Sequence, residues 1–267
     1  MTIDYNRFDQ IKAALGDDGV LRVTLCKPEK RNIIDDATNY QLADVFQDAN
    51  FDPRVKVMVL DGEGPVFSAG GDMIKMQRKI DDTGLFYRGI ANSRRLVFNA
   101  LDCAKPTIAK VEGDAVGLGA TLALLCDIVV ATHDAKILDP HVNVGLVAGD
   151  GGALIWPQLV GYARAKRYVL LGEPILGKDA ADMGLIAASG TAEEVNELVE
   201  KFARKFARSA TQSVAGTKIT MNAPLRQLAQ SLMDIGMAYE GLSNITKDHQ
   251  EAVTAFVEKR KPNFTGD

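Results

Sequence analysis

Twice in its first half the chain runs from an apolar strand-like stretch into a glycine turn and straight on into a helix. The first instance is GEGPVFSAGGDMIKM, residues 62–76, where Val66 and Phe67 enter the turn Ser68-Ala69-Gly70-Gly71 and Asp72 starts a helix. In the second, the strand-like TIAKVEG of residues 107–113 opens into Gly113-Asp114-Ala115-Val116-Gly117-Leu118-Gly119-Ala120-Thr121 and the apolar helix LALLC. Strand followed by helix, repeated in line, calls for a sheet with helices packed on it. A glycine turn at a helix start also leaves backbone N–H groups exposed, and these suit a negative charge developing on a bound oxygen. One such turn is common in proteins; two in one domain, each able to aim an N–H at the same oxygen, carry more. Close helix–strand packing is the plain alternative for the second turn, and both readings are compatible.

The neighbouring segments fit the same class. Val20 to Cys26 alternates at period two and reads as a strand, Asp36 to Asn50 as an amphipathic helix, and Val55 to Leu60 as a buried strand. Leu85 to Leu101 is a long helix, Ile128 to Ala131 a strand, and Ala163 to Leu171 and Lys178 to Met183 are helical, the last ended by Gly184. From Thr191 onward only helical patterning remains, over 191–209, 212–221, 225–245 and 247–259. The pattern predicts an α/β domain followed by an α-helical extension, with the change falling between Gly190 and Ala210.

Composition removes several classes of function. The net charge is −4 with no basic block, which disfavours a nucleic-acid partner. No apolar run approaches the roughly 20 residues of a membrane helix, and MTIDYNRFDQIK has no hydrophobic signal segment. Cys26, Cys103 and Cys126 are odd in number and scattered, against a disulfide framework or a metal cluster. The expectation is a reduced, cytoplasmic protein with no metal.

The stretch DPHVNVGLVAGDGGALIWPQLVG, residues 139–161, holds His141, one of three histidines, and Asp150 within a glycine run. Asp139-Pro140 reads as a turn. The spacing of Val142, Val144 and Leu146 predicts a short extended segment, and a helix starts near Gly151 with Pro157 in its first turns. His141 and Asp150 then lie at opposite ends of one loop and can face each other. They are either a structural histidine with a helix-capping aspartate or an acid–base pair.

Four pieces, in order, resemble the crotonase (enoyl-CoA hydratase/isomerase) superfamily: FSAGGD at 67–72, AKPTIAKVEGDAVGLGATLALLCDIVVA at 104–131, DPHVNVGLVAGDGG, and AFVEKRKPNF at 255–264. The resemblance implies a crotonase-like spiral of βαβ turns over residues 1–195. It also implies an α-helical C-terminal trimerisation or lid domain over 196–267, and a homotrimer or hexamer. The substrate would be an acyl-CoA thioester, with coenzyme A as part of that substrate and no other cofactor. The family's oxyanion-hole amides fall on Gly71 and Leu118. Its substrate contacts fall on Lys30 and Arg31, on Ala69, Asp72 and Met73, on Gly117 and Thr121, and on Phe256 and Lys259 reaching in from a neighbouring subunit.

The chain departs from the hydratase pattern where two glutamates serve the family: Thr121 and His141 stand in their places. A threonine hydroxyl cannot replace a carboxylate as a base, so the two-glutamate hydration mechanism does not transfer. His141 with Asp150 resembles the β-diketone hydrolase branch, typified by oxo-camphor hydrolase, in which a helix glutamate joins the pair; Glu240 matches that position. A histidine titrating near 6 to 7, with a carboxylate fixing its tautomer, would activate water. The leading expectation is a hydratase/isomerase-like enzyme with water activated by the His-Asp pair. The alternatives are retro-Claisen hydrolysis of a cyclic β-diketone or β-keto acyl-CoA, and a catalytically silent CoA-binding homologue.

Overall fold

The computed structural model describes residues 3–267. A hairpin of β1 (Ile11–Leu15) and β2 (Val20–Leu25) leads into α1 (Asp36–Phe51), then β3 (Val57–Gly62), β4 (Val66–Ser68), α2 (Met73–Asp81) and α3 (Thr83–Asp102). Next come β5 (Thr107–Val111), β6 (Asp114–Val116), α4 (Leu118–Leu124), β7 (Ile128–Thr132) and β8 (Lys136–Leu138). The chain continues through α5 (Gly152–Leu171), β9 (Ile175–Leu176), α6 (Gly177–Asp182), β10 (Ala188–Gly190) and α7 (Ala192–Ala207). It closes with α8 (Thr211–Asn244) and α9 (Lys247–Val257). None of these helices is long and apolar enough to cross a membrane.

Two sheets share the strands. The larger has the order β1-β2-β3-β5-β7-β10 and the smaller β4-β6-β8-β9. From β2 to β10 the larger sheet is parallel, and so are β4, β6 and β8 in the smaller. The chain therefore visits the large sheet and then the small one three times in succession, β3 to β4, β5 to β6 and β7 to β8. This is the α/β spiral that the repeated strand–turn–helix pattern anticipates, with an α-helical C-terminal part after it. Because β4, β6 and β8 are neighbouring parallel strands, the loops at their carboxyl ends emerge side by side. In open α/β sheets that edge is where ligands bind.

Burial on both faces explains why β3 reads as an unbroken apolar run. Val57 and Val59 pack with Val20, Ile108 and Val130 under Val195, Val199 and Ala203 of α7. Met58 and Leu60 point the other way, into the main core with Leu21, Val23 and Phe46. A parallel sheet covered on both faces needs apolar side chains at every position rather than at alternate ones.

Two local expectations are corrected. Residues 142–146 are not extended: His141–Val144 forms a 3₁₀ turn closed by Gly145 at φ 68°. The backbone bond from Leu146 N–H to the His141 carbonyl, 2.9 Å, makes the turn more favourable than a strand with no partner. The segments 212–221 and 225–245 are one helix, α8, with Pro224 inside it. Leu225, Leu228 and Leu232 pack on the core on one side, which outweighs the single hydrogen bond that Pro224 removes. The strands β1, β6, β8, β9 and β10 have no counterpart in the expected pattern; the last four span only two or three residues, too few for a period to show.

Candidate active site

The first glycine turn is set by Ser68 at the end of β4. Its buried hydroxyl donates to the Asn32 carbonyl at 2.7 Å and accepts from the Gly70 N–H at 3.1 Å, which bends the chain outward. Gly70 has φ 78°, and a side chain there would overlap the Val116 carbonyl oxygen at the end of β6. The two glycine turns thus lie backbone against backbone, and only glycine allows the approach. Asp72 caps α2 by accepting from the Ile74 and Lys75 N–H groups. The Gly71 N–H, just ahead of the α2 cap, and the Leu118 N–H at the first position of α4 have no acceptor among the described residues; for Leu118 this is the usual state of a helix-start amide. Both residues line one cavity of about 260 Å³.

After β8 the third loop brings in the histidine. The His141 Nδ1 lies 2.5 Å from Asp139 Oδ1, and its Nε2 lies 3.4 Å from Asp150 Oδ2. A carboxylate only accepts, so Nδ1 carries a proton and Nε2 is the nitrogen turned towards Asp150. The glycine run around Asp150 makes this packing fit. A side chain on Gly152 would overlap the Asp139 carboxylate, and one on Gly149 would overlap the Gly236 carbonyl of α8, one turn before Glu240. Glu240 is thereby drawn against the loop.

All four ionisable groups are buried. Burial alone would push the histidine down, but Asp150 and then Asp139 hold its proton, so His141 stays an imidazolium well above its ordinary value of 6.5. Burial and then the Asp150 charge push the Glu240 carboxyl up to about 8, so it keeps its proton at neutral pH. Asp150 Oδ1 and Glu240 Oε2 have no donor among the described residues. His141 and Glu240 each keep a proton, and the Asp150 charge helps to hold both. Asp139, His141 and Asp150 are close enough together to surround a cation, but the short Asp139 contact commits one oxygen to the ring N–H.

His141, Asp150, Glu240, Gly71, Leu118, Ala69, Asp72, Met73 and Gly117 all line this cavity. Four other expected residues do not. Lys30 and Arg31 are exposed on the turn after β2, although the Arg31 carbonyl accepts from the Ala69 N–H at 2.9 Å. Thr121 lies fully buried one turn into α4, and Lys259 is exposed beyond α9. Phe256 does line the cavity, but the cavity is that of its own chain, because α9 folds back beside α2.

Asp139, expected only as a turn residue, contacts the ring at Nδ1, and Asp150, expected to orient it, faces Nε2. The available signal was an aspartate two residues before a histidine across a proline. The cavity wall was not expected either: Lys75 and Lys79 of α2 pair with Asp35, which caps α1, and with Asp36 of α1 at 2.9 and 3.0 Å, all four lining the cavity.

Residues 16–267 match the model of a protein family described as enoyl-CoA hydratase/isomerase. A 1,2-epoxyphenylacetyl-CoA isomerase of Escherichia coli (strain K12) is 32% identical over 258 residues, covering 93% of this chain and 95% of the relative. The crystal structure of an enoyl-CoA hydratase/isomerase from Mycobacterium paratuberculosis matches with a TM-score of 0.87 at 33% identity, over 92% of this chain and 97% of that one. A β-diketone hydrolase from the cyanobacterium Anabaena, bound to (S)-3-oxocyclohexyl acetic acid, matches with a TM-score of 0.83 over 90% and 96%. Its identity is 22%, so that likeness speaks to the fold alone.

Proposed function

The chain belongs to the enoyl-CoA hydratase/isomerase family, and on that premise we propose that it acts on an acyl-CoA thioester through an enolate, with the His141 cluster handling water and protons. The observation that carries this reading is that His141, Asp150 and Glu240 share one cavity with the unpaired amides of Gly71 and Leu118.

In this reading the thioester carbonyl oxygen takes the two N–H groups. They contribute several kcal/mol once charge develops on that oxygen, because they are already oriented. Asp139 holds the ring by Nδ1, so Nε2 is the atom that exchanges protons. When Nε2 has lost its proton it takes one from water, and the hydroxide adds to the β-carbon of an enoyl thioester. The electron pair moves to the carbonyl oxygen as an enolate, and the Glu240 carboxyl returns a proton to the α-carbon. Asp150 stabilises the imidazolium that forms. Coenzyme A enters as part of the substrate, and no other cofactor is needed for these steps.

A second reading rests on Thr121, which is buried outside the cavity, so α4 supplies no carboxylate of the two-glutamate hydratase pattern. Retro-Claisen cleavage of a β-keto acyl-CoA or a cyclic β-diketone needs only one water-activating group and one acid. Water deprotonated by His141 attacks the distal carbonyl, and the C–C bond breaks with its electrons passing to the enolate held by the amides. The α-carbon is then protonated.

Incubating wild type and His141→Ala with crotonyl-CoA, a β-keto acyl-CoA and a cyclic β-diketone tests both readings. Turnover of one substrate that is lost in the variant supports the corresponding reading. Calorimetric binding of acetyl-CoA without turnover of any of the three would point instead to a silent CoA-binding homologue. We further propose a trimer or hexamer, on the family resemblance, and light scattering that gives a monomer at micromolar concentration would oppose it.

A further inference from the structure

We infer that His249, on α9, is a positioning residue for His141, acting through a hydrogen bond to the carbonyl of Val144. This rests on the reading of His141 as the acid–base group. His249 has no exposed surface, and its Nδ1 lies 2.6 Å from the Val144 oxygen. A carbonyl oxygen only accepts, so Nδ1 is the donor and Nε2 carries the lone pair. That Nε2 is buried with no partner among the described residues.

Val144 ends the same 3₁₀ turn that His141 begins. The turn is four residues long, so fixing the carbonyl at one end fixes the direction in which the imidazole leaves the other. Gly145, at φ 68°, lets α9 rest directly on the turn: a Cβ there would lie 2.8 Å from the His249 backbone nitrogen. The next residue, Gln250, exchanges two hydrogen bonds with Gln77 of α2, at 3.1 and 2.7 Å. Helix α2 carries Met73, Lys75, Met76 and Lys79 of the cavity wall, and α9 itself adds Phe256. One helix therefore bonds both to the histidine turn and to the helix that carries these wall residues.

An ordinary packing residue would fill this space without the penalty of an unpaired buried ring nitrogen. What histidine adds is a rigid donor aimed at one carbonyl. Burial, together with the nearby positive charge on His141, keeps the ring below its ordinary pKa, and hence neutral with that donor in place, although the bond to Val144 opposes the shift.

Two variants separate positioning from packing. His249→Leu fills similar volume without a donor, and His249→Asn places an amide N–H where Nδ1–H was. The first readout needs no substrate: ring ¹⁵N shifts of His141 in histidine-labelled protein, which report the nitrogen that holds the proton. The chain has only three histidines, so assignment is direct. His249→Leu should move the His141 shifts, and His249→Asn should restore them. With whichever substrate the wild type turns over, His249→Leu should lower kcat about tenfold, roughly the loss of one well-oriented hydrogen bond, with KM changed less than about twofold. His249→Asn should recover most of kcat. If His249→Leu does not fold, His249→Met takes its place. Unchanged His141 shifts in the apolar variant, or an equal loss in the apolar and Asn variants, would overturn the proposal whatever happens to the melting temperature.

Discussion

The Nδ1 of His141 and the Oδ1 of Asp139 are 2.5 Å apart although only Pro140 separates the two residues. Proline's fixed φ holds the backbone of the Asp-Pro-His step so that the aspartate side chain turns back onto the ring two residues on. The carboxylate is buried, and Gly152 leaves the space it occupies. It is therefore Asp139 that orients the imidazole, while Asp150 faces the other ring nitrogen, Nε2.

Asp139→Asn should lower kcat by about 10²- to 10⁴-fold, the range spanned by acid–base groups and their orienting carboxylates. An amide in that place can offer its N–H to Nδ1 and so impose the wrong tautomer. KM should change little, because the amides of Gly71 and Leu118 are untouched. Steady-state kinetics on the substrate identified above checks this, and a kcat within threefold of wild type would mean that Asp139 serves packing only.

The pH profile follows from two raised groups. His141 must lose a proton to act as base, and both aspartates hold that proton, so the ascending limb of kcat/KM should lie above 6.5. Glu240 must keep its proton to act as acid, so the descending limb should lie near 8. The result is a profile displaced to the alkaline side, whose limbs belong to the coupled cluster rather than to single residues. Asp150→Asn removes the first carboxylate from the imidazolium and should move the ascending limb to lower pH. An ascending limb at or below 6.5 in the wild type would exclude His141 as the base.

How far the site was legible in the sequence depended on the kind of contact. The turns carrying Gly71 and Leu118 could be read because a glycine turn between a strand and a helix is a local signal. The approach of His141 to Asp150 could be read because one short loop bounds it. The closeness of Glu240 rests on Gly149 meeting Gly236, an approach between residues far apart in the chain, and only the family resemblance pointed there. His249 and the Lys75–Asp35 and Lys79–Asp36 pairs left no local trace, since a histidine or a charged pair on an amphipathic helix reads the same whether it faces solvent or a neighbouring helix. The single long α8 was misread for a related reason: Pro224 is a local stop signal, and the packing that overrides it is tertiary.

Glu240→Gln should stabilise the protein at alkaline pH. The folded-state value of Glu240 is raised to about 8 from 4.5. Its contribution to stability is therefore fully present below about 4.5 and is lost as pH rises through 8. Glutamine keeps the volume and never ionises, so its melting temperature should exceed that of the wild type by a few degrees at pH 9 and match it at pH 5. Activity should fall in the same variant, because the amide cannot donate the proton. Equal melting temperatures at pH 9 would mean that the carboxylate form is accommodated without cost.

The last prediction compares two glycines with opposite surroundings. A methyl on Gly152 would overlap the Asp139 carboxylate, whereas one on Gly216, exposed within α8, meets nothing within 4 Å. Gly152→Ala must push Asp139 away from His141, so it should lower the ascending pH limb and reduce kcat at least tenfold, beyond any loss of stability. Gly216→Ala should stabilise the protein by about 1 kcal/mol, because alanine is the better helix former and has less freedom to lose on folding. Its kinetics should be unchanged, as the residue lies outside the cavity. Denaturant unfolding and the pH profile measured together decide the matter. If Gly152→Ala loses stability but keeps the wild-type ascending limb, the Asp139–His141 contact does not set the basicity of the histidine.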